Sequence, residues 1–142
     1  PDPVLRLCAL LPAQADVGDA VAARLKLSNK ARKRIVAALT PPPAFRSIDE
    51  LAFRVGREAA RDHLLLGETC DANDVHQLES WQSPTFPVGG AELMALGMSP
   101  GPDITRALKE IRELWISEGF PSQQRTYEIA RQITSKFQRL NQ

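Results

Sequence analysis

The chain is poor in groups that make or break covalent bonds. Its two histidines, His63 and His76, stand in neither a His-Glu-x-x-His nor a His-Asp pattern able to chelate a metal from one helix face. Asp62 and His63 adjoin, yet neighbours on a helix diverge by about 100° and do not converge on one ion. Both histidines read as partly exposed helix residues. There is no Gly-x-x-x-x-Gly-Lys-Ser/Thr loop, no Gly-x-Ser-x-Gly elbow and no close carboxylate pair beside a strand. Cys8 and Cys70 lie far apart in apolar stretches and outside any Cys-x-x-Cys, which points to buried, inert thiols in a reducing, cytosolic setting. No catalytic residue, metal ligand or cofactor site is expected within these residues.

What the chain has instead is a concentration of cations. Residues 1–46 hold eight basic side chains against three acids, a net of +5, while the rest of the chain stands at −4. A molecule with one basic end holds a polyanion there without being adhesive everywhere. The densest run is Arg24-Leu25-Lys26-Leu27-Ser28-Asn29-Lys30-Ala31-Arg32-Lys33-Arg34. Cations at a helix start repel one another and oppose the macrodipole, and phosphate groups relieve both costs. Lys26, Lys30, Arg32, Lys33 and Arg34 are therefore the first candidates for contact with a nucleic-acid backbone. The competing reading is a solvated face paired with Asp16 and Asp19, the nearest acids in sequence. A second stripe, Arg54, Arg57 and Arg61, is interleaved with Glu58 and Asp62, so ordinary helix ion pairs are favoured there.

The other distinctive stretch runs from Phe86 to Ile104, a short helix, a Gly/Pro turn and the start of a long helix, in the layout of a helix-hairpin-helix. Free N–H groups at the second helix start can face a phosphate oxygen. That makes Gly97 and Gly101 candidates, with Arg106 and Lys109 one turn further on. Asp103 would compete with the phosphate, and a plain packing turn between two core helices is the alternative.

These groups must be carried by helices. Ala, Leu, Arg and Glu recur at 3.6-residue spacing, aromatic content is 6%, and no strand-like alternation is present, so the fold class is all-α with no sheet. A first helix around Val4–Leu11 stops near Pro12. A second starts at Asp16 with Val17, Val21 and Leu25 on one face, and a third is capped by Ser28 or Asn29 and ends before Pro41-Pro42-Pro43. Ser47 caps a helix from Ile48, with Glu50 placed for a capping box; Gly56 either ends it or lies inside a longer one running to Leu66. Asp71 or Asn73 opens a helix through Trp81. Residues 83–90, rich in Pro and Gly, form a linker between a helical body (1–82) and a helical tail (91–142). The tail holds Ala91–Leu96, Asp103–Glu118 and a last helix from Ser122 to about Leu140. Leu93, Leu96, Ile104, Leu108, Ile111, Trp115 and Phe120 form its core stripe, and Trp81 and Phe86 are expected to clamp body to tail. No run is long and apolar enough to cross a bilayer, and the opening Pro1-Asp2-Pro3, without an initiator Met, suggests a piece of a longer chain.

Arg24–Lys30, then Phe86–Pro102, then Leu108–Phe120 together resemble, in order and collinearly, the carboxy-terminal half of class II tRNA nucleotidyltransferases and the related bacterial poly(A) polymerases. The resemblance implies an all-helical body and tail that follow a catalytic head and neck in the same parent chain. That family transfers CMP and AMP from CTP and ATP, or repeated AMP, to RNA 3′ ends, using magnesium held by head carboxylates. The head's Gly-Ser motif and Asp-x-Asp pair and the neck's Glu-Asp-x-x-Arg are absent here, so no catalytic or metal residue carries over, and Mg and ATP/CTP belong to the missing head. What remains is a region that holds tRNA or another RNA so that its 3′ end reaches the head, through sugar and phosphate contacts that carry little sequence information. A helical protein-interaction module and a stand-alone helix-hairpin-helix nucleic-acid binder are the other readings.

Overall fold

Side-chain caps set where most of the helices begin. The computed structural model describes residues 2–68 and 70–142, and they form an all-α chain. Asp2 accepts from the Val4 N–H at 2.9 Å and opens α1 (Pro3–Ala9). α2 (Ala15–Arg24) follows, and Ser28 opens α3 (Asn29–Leu39) by accepting from the Ala31 N–H at 3.2 Å. Ser47 accepts from the Glu50 N–H at 3.1 Å to open α4 (Ile48–Val55), whereas the Glu50 carboxylate reaches past Ser47 to the Arg46 N–H at 2.9 Å. Gly56, at φ +87, ends α4 and begins α5 (Arg57–Leu66), so the two are separate helices and Arg54, Arg57 and Arg61 do not share one stripe. Asp71 and Asp74 close a capping box at α6 (Ala72–Ser80). Each such cap contributes about 1 kcal/mol.

The chain divides into two compact units, the first ending at Ser83 and the second beginning at Pro84. In the first, Cys8, Ala22, Ile35, Ala38 and Leu39 form one buried cluster, and Leu51, Ala52, Ala60 and Leu78 another. The buried positions of α2 are Gly18 and Ala22, with Val17 and Val21 half-buried and Leu25 exposed, so the contact face is turned away from the expected apolar one. The reason is the close approach of α3: a Cβ on Gly18 would stand 2.6 Å from Leu39 Cδ1 and 2.9 Å from Ile35 Cγ2. Small residues win that face because larger ones do not fit.

The second unit contains α7 (Gly90–Ala95), α8 (Pro102–Ser117) and α9 (Gln123–Leu140). Leu93, Ala107, Ile111, Ile129, Ala130 and Ile133 fill its core, and Leu96, Ile104 and Leu108 pack against it. Trp115 is 2% exposed between the rings of Phe86 (centroids 5.1 Å apart) and Phe120 (4.9 Å). The Pro/Gly segment expected to be a linker thus contributes Phe86 and buried Val88 to this core. Trp81 packs in the first unit, against the Leu51–Leu78 cluster.

Candidate nucleic-acid interface

The basic run folds into the end of α2, a tight turn and the first two turns of α3. α2 closes with the Leu27 N–H donating to the Ala22 carbonyl (3.0 Å) and the Lys26 N–H to the Ala23 carbonyl (3.1 Å). This paired closure needs a left-handed residue at its centre, usually glycine, and the chain places Lys26 there at φ +53. The left-handed backbone costs a residue with a Cβ roughly 1–2 kcal/mol.

Five candidate cations behave in two ways. Arg34 is an internal tie: its Nε and Nη2 donate to the two oxygens of Asp62 on α5 (2.8 and 2.9 Å), and Nη2 stands 2.7 Å from Asp2 Oδ2. Asp62 is only 1% exposed, and Glu58 Oε1 lies 3.5 Å from the same guanidinium. The hydrogen bond from Arg34 holds the Asp2 carboxyl below its usual range. Arg34, on the third helix, thereby pins the cap of α1 and the buried carboxylate of α5. Its position in the basic run is a packing position, because a guanidinium surrounded by the carboxylates of Asp62, Asp2 and Glu58 has little left for a phosphate.

Arg32 is also paired, in a two-pronged fork to Asp19 on α2, with Nη2 to Oδ2 at 2.7 Å. Both partners keep over two-fifths of their side-chain surface in solvent, and the fork pushes the Asp19 carboxyl down. Lys26, Lys30 and Lys33 are exposed, and among the described residues none of the three has an ion pair. Once the two arginines are subtracted, three uncompensated ammonium groups remain at one corner of the first unit. A groove of about 630 Å³ opens beside them, lined by Asp19, Asn29, Arg32, Lys33, Val36 and Ala37. Asn29, Val36 and Ala37 were not among the binding candidates read from the sequence, although 29, 32, 33, 36 and 37 follow the i, i+3, i+4, i+7, i+8 spacing of a single helix face.

The turn candidates serve the backbone. Gly97, at φ +96, closes α7 in the same way that Lys26 closes α2, with the Met98 N–H on the Leu93 carbonyl at 3.1 Å. Gly101 is the cap residue of α8, whose first residue is Pro102. A proline there removes one of the N–H groups that an anion would use, and the Ile104 N–H is already on the Gly101 carbonyl at 3.2 Å. The Asp103 carboxylate adds a negative charge and takes the Asn141 amide (3.0 Å) and the Arg106 guanidinium (3.3 Å). This turn is built to end one helix and start the next, and its charge repels phosphate. Arg106 is therefore tied to Asp103, while Lys109 is exposed and without an ion pair among the described residues. Lys109 and the turn lie in the second unit and the lysine corner in the first.

The described residues include no grouping of three His, Cys, Asp or Glu side chains able to hold a metal, and no helix among them is long and apolar enough to cross a membrane. Cys8 is buried, which pushes its thiol up and away from reactivity.

Comparison with known proteins gives one direction. No family model and no solved structure matches the chain. It is 26% identical over 132 residues to the mouse CCA tRNA nucleotidyltransferase 1, mitochondrial, a match that takes in 84% of this chain and 30% of the relative. It is 35% identical over 54 residues to the human protein of the same name, across 38% of this chain and 12% of the relative. The chain thus spans less than a third of the length of the curated relatives it matches, and it is distantly related to a CCA tRNA nucleotidyltransferase.

Proposed function

We propose that this chain is the RNA-holding region of a nucleotidyltransferase that adds CMP and AMP to RNA 3′ ends, non-catalytic by itself, with tRNA as its partner. The observation that carries this is the lysine corner. Lys26, Lys30 and Lys33 are left uncompensated around a turn and a helix start, where Lys30 opposes the dipole of α3 and the like charges repel one another unless an anion arrives. The distant relationship to an enzyme named for tRNA supports RNA as that anion. Arg32 and Arg34 act one step back, fixing α3 against α2 and α5 so that the lysines stand clear. The nucleotide-transferring head and neck, with their magnesium and ATP or CTP, belong to a part of the parent enzyme beyond these residues.

The test is titration of the 142-residue chain with labelled tRNA at several salt concentrations. Binding should weaken steeply with salt, and Lys26→Glu, Lys30→Glu and Lys33→Glu together should flatten the log–log slope by about 3, near one unit per lost phosphate contact. Lys30→Glu suits the start of α3, and an unchanged circular dichroism spectrum of the triple variant separates lost binding from lost folding. The chain should incorporate no nucleotide into tRNA. An unchanged slope in the triple variant overturns the proposal.

A further inference from the structure

Beside the lysine corner, the groove between α2 and α3 has a composition that phosphate contact alone does not call for. On the α3 side, Val36 and Ala37 give it an apolar part, Asn29 and Lys33 a polar one, and Arg32 a guanidinium. All five are on one face of α3, a run of about 12 Å at 1.5 Å per residue, and its volume of about 630 Å³ falls within the ordinary range for small-molecule sites, about 300–1,000 Å³.

Arg32 is the informative side chain. Its Nε and Nη2 edge is taken by Asp19, so it cannot present that fork to a phosphate. The same fork locks the guanidinium flat, and the side chain retains 42% of its surface. A planar cation held in place and open to solvent stacks on the π-face of a nucleobase. The stripe then reads in order as amide, stacking plane, ammonium and apolar part, which matches a base edge, a base face, a phosphate and the apolar side of a ribose.

We infer that the α2–α3 groove accepts one unpaired nucleotide of RNA, its base stacked on Arg32 and its phosphate on Lys33. This rests on the RNA-holding reading and deepens it: the duplex is held at the lysine corner, and an unstacked base beside it is held by shape. A peptide rich in acidic residues is the other partner that cations beside an apolar part would attract, but it makes no use of an immobilised guanidinium plane.

The experiment compares three probes on the 142-residue chain at fixed salt: an octauridine single strand, a blunt 16-base-pair RNA duplex and poly-glutamate. Asp19→Ala is the decisive variant. Simple electrostatics has the loss of an acid raise the affinity of all three anions. Stacking has it free Arg32 from its plane, so octauridine should bind about tenfold more weakly while the duplex binds somewhat more tightly. Ala37→Leu, at an exposed helix position, fills the apolar part without a change of charge and should weaken octauridine alone. Circular dichroism confirms that both variants fold. Octauridine and duplex rising together in Asp19→Ala, or poly-glutamate responding to Ala37→Leu while octauridine does not, overturns the inference and leaves duplex holding intact. If neither RNA binds the unmodified chain, both readings fall.

Discussion

Arg34 shows how a charged residue changes meaning with its surroundings. In a run of six cations it looks like the others, yet it faces a carboxylate that is 1% exposed. Removing one partner of such a pair leaves a buried charge unanswered, at a cost of about 3–5 kcal/mol, whereas replacing both with apolar groups is close to neutral. Arg34→Met should therefore lower the unfolding free energy in urea by about that amount, and Arg34→Met combined with Asp62→Leu should recover most of it. Lys33→Met, one residue away and exposed, should leave stability within about 0.5 kcal/mol of the parent. The cations themselves were legible in the sequence; their division into ties and free groups was not. Asp62 lies 28 residues from Arg34, and only the folded arrangement of α3 on α5 brings them together. Asp19, by contrast, was in view as a competing partner, and it is the one that Arg32 takes.

At the level of helices, three of the chain's turns use the same closure with different residues. α7 and α8 end on Gly97 and Gly119, and α2 ends on Lys26, all with positive φ. Glycine at Lys26 relieves the steric cost of the left-handed backbone but adds freedom to the unfolded chain, so Lys26→Gly should stabilise by a net of about 0.5–1 kcal/mol, read as a raised Tm. The same variant should weaken tRNA binding, a pairing of gain and loss that marks strain kept for function. Helix positions were largely legible because their signals are local: Ser28, Ser47, Asp71 and Ser122 each cap the helix that follows. Boundaries moved by a residue where proline decided them, as at Pro102, which starts α8 ahead of Asp103. The face of α2 was misjudged because hydrophobicity pointed to Val17, Val21 and Leu25 while packing selected Gly18 and Ala22. Residues 83–90 illustrate the same limit, since Pro and Gly report that a segment is not helical and are silent on whether it packs.

Taken as a whole molecule, the chain's response to acid should have two stages. Burial lowers the His63 pKa from its ordinary 6.5, so the unfolded chain takes up that proton first as pH falls. Stability should decline as pH drops below about 6.5 and level off once the folded His63 is also protonated. His63→Gln should abolish this first stage when urea midpoints are compared at pH 7.5 and 5.5. Asp2, Asp19 and Glu118 have carboxyls lowered by hydrogen bonds from Arg34, Arg32 and Arg125. Their contribution is complete above their ordinary values near 4 and disappears only as pH falls through the lower folded ones, which defines the second stage.

The contact at Gly18 sets the separation of the two helices that form the groove. With a Cβ there, Leu39 and Ile35 must yield or α2 must lift away, and Asp19, the next residue, moves with it. The width of the recess and the tilt of the Arg32 plane thus depend on a buried residue without charge or side chain. A survey that scores only charge and exposure would pass over a position where one added methyl group is enough to change the shape of that recess.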